Sequence, residues 1–186
     1  IVTQAGCPFA CHFCGHSEGY QKLALRSPQH VEAEIEKILS DYPWVGCIML
    51  YDDEINIRGD FLTLLKMLGR VGGHGSRLTY RGFFKCGKSF MREDVFAAMA
   101  ESGFVTLCTG VEAADPTVLA RVGKGATVED NTQFVSLCIK YGIDAKLFTM
   151  VGHPGESWTS VAKLPEWLCT VATMATGKIQ LDADVT

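Results

Sequence analysis

No stretch of the chain approaches the ~20 consecutive apolar residues that a bilayer-spanning helix needs. No charged-then-apolar leader opens the sequence either. A soluble protein in a reducing, cytoplasmic setting is expected. A cationic excess is also missing: 17 lysines and arginines stand against 21 aspartates and glutamates, a formal charge of -4. Nucleic acid is therefore not an implied partner. Internal repeats and low-complexity tracts are absent, which excludes solenoids and disordered tails. What remains is 186 residues, 47% apolar and 20% charged. That bounds one globular domain, residues 1–186, large enough to bury a core. Ile1 already lies in strand-like sequence and residues 179–186 read as the approach to another strand. Both ends therefore read as cuts in a longer chain.

The most informative shortage is a fourth cysteine in Gly6-Cys-Pro-Phe-Ala-Cys-His-Phe-Cys-Gly15. Cys7, Cys11 and Cys14 are spaced C-x3-C-x2-C, which places three thiols on one loop. A 4Fe-4S cluster ordinarily takes four cysteines, so three leave one iron open to a small molecule. A structural zinc site from the same three cysteines with His12 or His16 is the alternative, since thiolate and imidazole also suit tetrahedral zinc. Of the eight cysteines, Cys47, Cys108, Cys138 and Cys169 sit in apolar stretches, where a free thiol acts as a small buried hydrophobe. No chemistry is assigned to them.

An apolar Ile-Val stretch running into a Gly-Cys turn, with Phe13 just before the third cysteine, resembles the radical S-adenosylmethionine (SAM) superfamily. The resemblance implies that the open iron is chelated by SAM and that Phe13 packs near the adenine. It further implies reductive cleavage of SAM to a 5'-deoxyadenosyl radical that abstracts hydrogen from a small-molecule or peptide substrate. A reducing partner such as flavodoxin or ferredoxin is implied with it.

Later segments carry the resemblance along essentially the whole chain. Tyr51-Asp-Asp-Glu-Ile55 stands where the family often has Gly-Gly-Glu, so Asp52, Asp53 and Glu54 are candidate acceptors for the methionine ammonium. That departure is similar to the branch of methylthiotransferases and cobalamin-dependent enzymes. It makes cobalamin, held by a domain outside these residues, an implied cofactor, although no Asp-x-His-x-x-Gly signature occurs here. Arg81 and Lys85 follow the third strand and could meet a carboxylate of cofactor or substrate. Gly110-Val-Glu112 is similar to the family's Gly-Ile-Glu-Ser, with Ala113 in place of serine, and Glu112 is assigned to the cofactor ribose or amino group. Met150-Val-Gly-His-Pro-Gly-Glu156 matches a Gly-x-Pro-Gly-Glu turn that brings backbone at Val151 and Gly152 to the adenine. His153 is read as a structural turn residue.

Apolar periodicity alternates short strands (1–5, 46–51, 77–82, 104–109, 144–150, 178–182) with helices. Such alternation predicts an α/β fold with a parallel sheet and outer helices, a partial (β/α)6 TIM-like barrel truncated near its sixth strand. Ser27-Pro28 marks a helix start, Thr127 with Asp130 a capping box, and Pro165 a kink or break in a last helix over 157–171. One rival motif is literal: Gly82-Phe-Phe-Lys-Cys-Gly-Lys-Ser89 satisfies G-x4-G-K-S, the phosphate-cradling P-loop of an ATPase. Phe83 and Phe84 would crowd such a loop, and the acidic strand precedes it where a P-loop protein has it after.

Overall fold

The computed structural model describes residues 1–15, 22–72 and 77–186. Five strands, β3 (Cys47–Leu50), β4 (Thr79–Phe83), β5 (Phe104–Glu112), β6 (Asp144–Thr149) and β7 (Leu181–Val185), form one sheet in chain order. Every pairing is parallel. Parallel neighbours need crossovers, and the chain supplies helices for them: α1 (Pro28–Asp41), α2 (Phe61–Gly72), α3 (Glu93–Glu101), α4 (Pro116–Val122), α5 (Val128–Tyr141) and α6 (Trp158–Ala175). The fold is α/β, as the alternation of strand and helix patterns predicts.

Helix boundaries follow their caps. Ser27 accepts from the His30 amide, and Thr127 and Asp130 bond reciprocally as a capping box. Gly123 and Gly142 close α4 and α5 in left-handed backbone. The apolar faces of α1, α2, α3 and α5 (Val31, Ile35, Leu64, Leu65, Leu68, Phe96, Phe134) bury against Leu50, Tyr80, Leu107 and Leu147 of the sheet. Along β6 burial alternates, with Ala145, Leu147 and Thr149 under the helices and Lys146 and Phe148 on the opposite, inner face.

Four details differ from expectation. The strand anticipated at 1–5 adds a single rung to the sheet: the Ile1 ammonium donates to Met49 O, and Ile1 O accepts from the Tyr51 amide. It then leaves, because Asp52 accepts from the amides of Thr3 (2.6 Å) and Gln4 (3.1 Å). Gln4–Ala5 (β1) instead pairs antiparallel with Ala24–Leu25 (β2). The last strand begins at Leu181, since α6 runs on to Ala175 and a turn through left-handed Gly177 intervenes. Pro165 lies inside α6 on its exposed side, and the helix continues through it. Finally, Cys138 and Cys108 are buried, but Cys47 and Cys169 are exposed, so local apolar sequence misplaces two of the four.

Candidate active site

The cysteine loop crosses the carboxyl ends of β3, β4 and β5, the end at which α/β proteins gather functional groups. Left-handed Gly6 (φ 94°) turns the chain out of β1 into the loop. The Cys14 amide bonds Cys11 O, and the His12 amide reaches Val122 O at the end of α4. These two bonds tie the loop to itself and to the fold. Cys7, Cys11 and Cys14 are all partly exposed, and none of the three is in a disulfide. Burial pushes the Cys7 thiol up, and the carboxylates of Glu54 and Asp53 add to the rise. Burial also raises Cys11, but here Lys124 and Lys85 pull the other way.

Beneath the loop lies a floor of buried charges. Lys124 Nζ donates to Glu112 Oε1 (2.8 Å) and to Gly110 O (2.8 Å), with both side chains more than nine-tenths buried. Burial alone would depress the lysine; Glu112 and Glu54 outweigh it and hold Lys124 above its usual range. Gly110 makes this possible, since a Cβ there would collide with both partners of the pair. Glu112 has φ of 65°, the one positive-φ residue other than glycine among those described. The Ala113 amide closes on Val111 O across it, a tight three-residue turn that aims the carboxylate inward. Glu54 faces the same cations. It retains some accessible surface, yet burial raises its carboxyl from 4.5 to about 7 against the pull of Lys124 and Lys85.

Lys85 is fully enclosed. Its ammonium donates to Lys124 O (2.6 Å) and Cys86 O (3.1 Å) and stands 4.8 Å over the ring of Phe9, inside the cysteine loop. Asn56 clamps its backbone, accepting from the Lys85 amide and donating to its carbonyl.

Beside the floor, a cavity of about 430 Å³ is lined by His12, Phe13, Arg121, Val122, His153 and Pro154. Phe13 and His153 meet edge to face at 6.1 Å. Gly152 (φ 93°) and Gly155 (φ 76°) shape the turn, which Glu156 fastens by accepting from the Gly152 and His153 amides. Arg121 closes it by donating to Gly155 O. His153 is 7% exposed, and its Nε2 has no hydrogen-bond partner among the described residues. A buried polar atom left without a partner is rare in a folded protein.

Cys7, Cys11, Cys14, Phe13, Glu54 and Glu112 are thus brought to one place. Asp53 stands exposed beside them, its charge felt at Cys7. Asp52 is turned away, holding Thr3 and Gln4. Arg81 sits lower on the inner face of β4, bonded to Thr106. Val151 lies just past the carboxyl end of β6, its amide on Thr186 O. Lys124 and Asn56 escape sequence reading, because Gly-Lys-Gly and Ile-Asn-Ile resemble ordinary loop until their partners, 12 and 29 residues away, are known.

Two rival readings meet this geometry. Among the described residues, no three His, Cys, Asp or Glu side chains converge on a single-ion cage. The His12 ring packs instead against Gly123, and His16 lies outside the described residues. At the G-x4-G-K-S match, Phe84 and Lys85 are buried and α3 starts only at Glu93. No helix continues directly from Gly87-Lys88-Ser89, so the phosphate cradle of a P-loop is not built.

Three thiols thus stand on a loop at the carboxyl end of a parallel sheet, beside a cavity of about 430 Å³. The model of the Radical SAM superfamily matches residues 1–168, and the chain belongs to that superfamily. It is 28% identical over 165 residues to an uncharacterized methyltransferase of Pyrococcus horikoshii, a match covering 84% of this chain and 33% of the relative. It is 27% identical over 154 residues to the anaerobic magnesium-protoporphyrin IX monomethyl ester cyclase of Cereibacter sphaeroides, covering 82% and 25%. The radical SAM methyltransferase TsrM of Kitasatospora setae shares the fold, with TM-score 0.78 at 23% identity over 92% of this chain and 33% of that one. So does the cobalamin-dependent radical enzyme OxsB, with TM-score 0.77 at 17% identity over 99% and 27%. The chain spans about a third or less of the length of these relatives. Among the described residues, no helix is long and apolar enough to cross a membrane.

Proposed function

We propose that this chain is the catalytic core of a radical SAM enzyme, with a 4Fe-4S cluster held by Cys7, Cys11 and Cys14 and SAM in the adjoining cavity. The donor set fits: three thiols, no fourth, and cations below them to offset thiolate charge. The observation that carries the reading is the placement of Phe13 and the unpartnered His153 Nε2 around a cavity beside those thiols. When bound, the cluster supplies the electron for reductive cleavage of SAM.

The chain's own residues orient and shield. Phe13 and Pro154 wall the purine, and Gly152 lets backbone come close. Glu112, held by Lys124 through one oxygen, keeps Oε2 for an ammonium or ribose hydroxyl. Glu54 and Asp53 offer further acceptors at the methionine end. A reductant of the flavodoxin or ferredoxin kind would deliver electrons, and the named methyltransferase relatives favour methyl transfer as the outcome. Cobalamin, if used, would come from a domain outside this chain.

The test is anaerobic reconstitution with iron and sulfide, then dithionite and SAM. Four irons per chain and formation of 5'-deoxyadenosine or a methylated product are expected. A protein that takes zinc and no iron under these conditions overturns the reading.

A further inference from the structure

Lys85 is a buried ammonium with no carboxylate bonded to it. Its two acceptors are carbonyls, those of Cys86 and Lys124, and its third side faces the ring of Phe9 between Cys7 and Cys11. Its neighbour Lys124 is different, being satisfied by Glu112 at 2.8 Å. A buried cation is retained only where something anionic compensates it. Burial pulls the Lys85 ammonium below the usual lysine range; against this stand the Glu54 carboxylate after β3, to which it makes no hydrogen bond, and the thiols of Cys11 above and Cys86 beside it. Lys124 faces it as well and repels.

Resting on the cluster assignment above, we propose that Lys85 is a positioning residue for the cluster. It would seat the loop through Phe9 and place a fixed positive charge under the three-thiolate cluster, raising its reduction potential. The physical basis is charge balance. Three thiolates around an iron-sulfur core leave a net anion, and reduction adds one more negative charge at the same place. A cation fixed in low dielectric stabilises the reduced form more than the oxidised one. Asn56, which brackets the Lys85 backbone on both sides, fixes where that charge sits.

The experiment is an EPR-monitored redox titration of the anaerobically reconstituted chain and three variants. Lys85→Met removes charge and donors, Lys85→Gln removes charge but keeps N–H donors for the two carbonyls, and Lys85→Arg keeps both. With the cluster assembled, Met and Gln variants are expected to show about a tenfold lower reduced-to-oxidised ratio at a fixed poise. For a one-electron couple that is a downward shift of about 59 mV. The Arg variant is expected to return most of it. A Gln variant that titrates with the parent, whatever the Met variant does, shows that hydrogen bonding rather than charge matters and overturns the inference. So does weakened SAM binding with an unmoved potential, which would make Lys85 a cofactor ligand. A parent that assembles no iron-sulfur cluster sinks the underlying reading and takes this one with it. A clustered parent with unshifted variants sinks this one alone.

Discussion

The charged floor and the apolar cavity lie side by side under one loop and are built by opposite rules. The floor gathers four ionisable groups: Glu112 and Gly110 O satisfy Lys124, two backbone carbonyls take the Lys85 ammonium, and Glu54 lies half-buried facing both lysines. The cavity uses ring edges, a proline and glycine backbone, and leaves one imidazole nitrogen unpartnered. A closed network fixes geometry, because each member is costly to remove. An open apolar wall with one unmet donor or acceptor awaits a guest. On the proposed assignment, the first region governs stability and cluster charge, and the second governs affinity for SAM.

The largest effect should come from the thiols that span both regions. Alanine at Cys7, Cys11 or Cys14 is expected to abolish cluster retention and SAM cleavage, read as iron content and 5'-deoxyadenosine. Cys138→Ala, at a fully buried site on α5, should keep both and lose only about 1 kcal/mol to a small void. A triple alanine variant that still forms product would break the assignment. Next in size is the buried pair. Glu112→Ala strands the Lys124 ammonium and should lower unfolding free energy by about 3–5 kcal/mol in urea titration. Adding Lys124→Met should recover a substantial part. Additive losses would show that the floor is not a network.

The sequence discloses the floor and cavity unequally, for physical reasons. Covalent spacing makes the cysteine loop legible, and the alternation of strand and helix patterns makes the parallel sheet legible. Local caps such as Ser27, Thr127 and Gly142 are equally readable, because their partners lie within a few residues. Asp52 and Glu54 show the limit. Two acids of one motif end up with different duties, because the chain bends at Asp53 beyond the end of β3, which leaves Asp52 on the Thr3 and Gln4 amides and turns Glu54 toward the lysines. The Glu112–Lys124 pair depends on α4 folding back over β5, which no local pattern encodes. His153 reads as a turn residue until the fold closes Phe13 against it.

The floor also predicts a pH dependence. Glu54 carries a proton more readily when folded, with its carboxyl raised from 4.5 to about 7. The folded state thus binds more protons than the unfolded one between those values. Its contribution to stability is fully present below 4.5 and is lost as pH rises through 7. At about 1.4 kcal/mol per pH unit the loss is at most ~3 kcal/mol. Urea midpoints of the unreconstituted protein at pH 5 and 7.5 should differ, and Glu54→Gln should flatten the difference. A parent with no slope in that window would place Glu54 outside the floor. On the cavity side, Phe13→Ala should weaken SAM binding about fivefold in calorimetry, with cluster content unchanged, matching the ~1 kcal/mol of an aromatic contact. Equal affinity in both proteins would move the cofactor elsewhere.

The smallest expected effect makes the sharpest contrast, since it concerns two lysines of one loop. Lys85 is enclosed beneath Phe9, whereas Lys88, three residues on, is exposed and makes no hydrogen bond or ion pair among the described residues. In a P-loop the second of these would grip phosphate at a helix N-terminus, but here α3 begins five residues later, at Glu93. Lys88→Ala should accordingly leave stability within about 0.5 kcal/mol of the parent and leave SAM cleavage and reduction potential unchanged. The same assays on Lys85→Gln should shift the potential. Magnesium-dependent ATP binding that vanishes in Lys88→Ala would reverse the ranking of the two lysines and return the loop to phosphate chemistry.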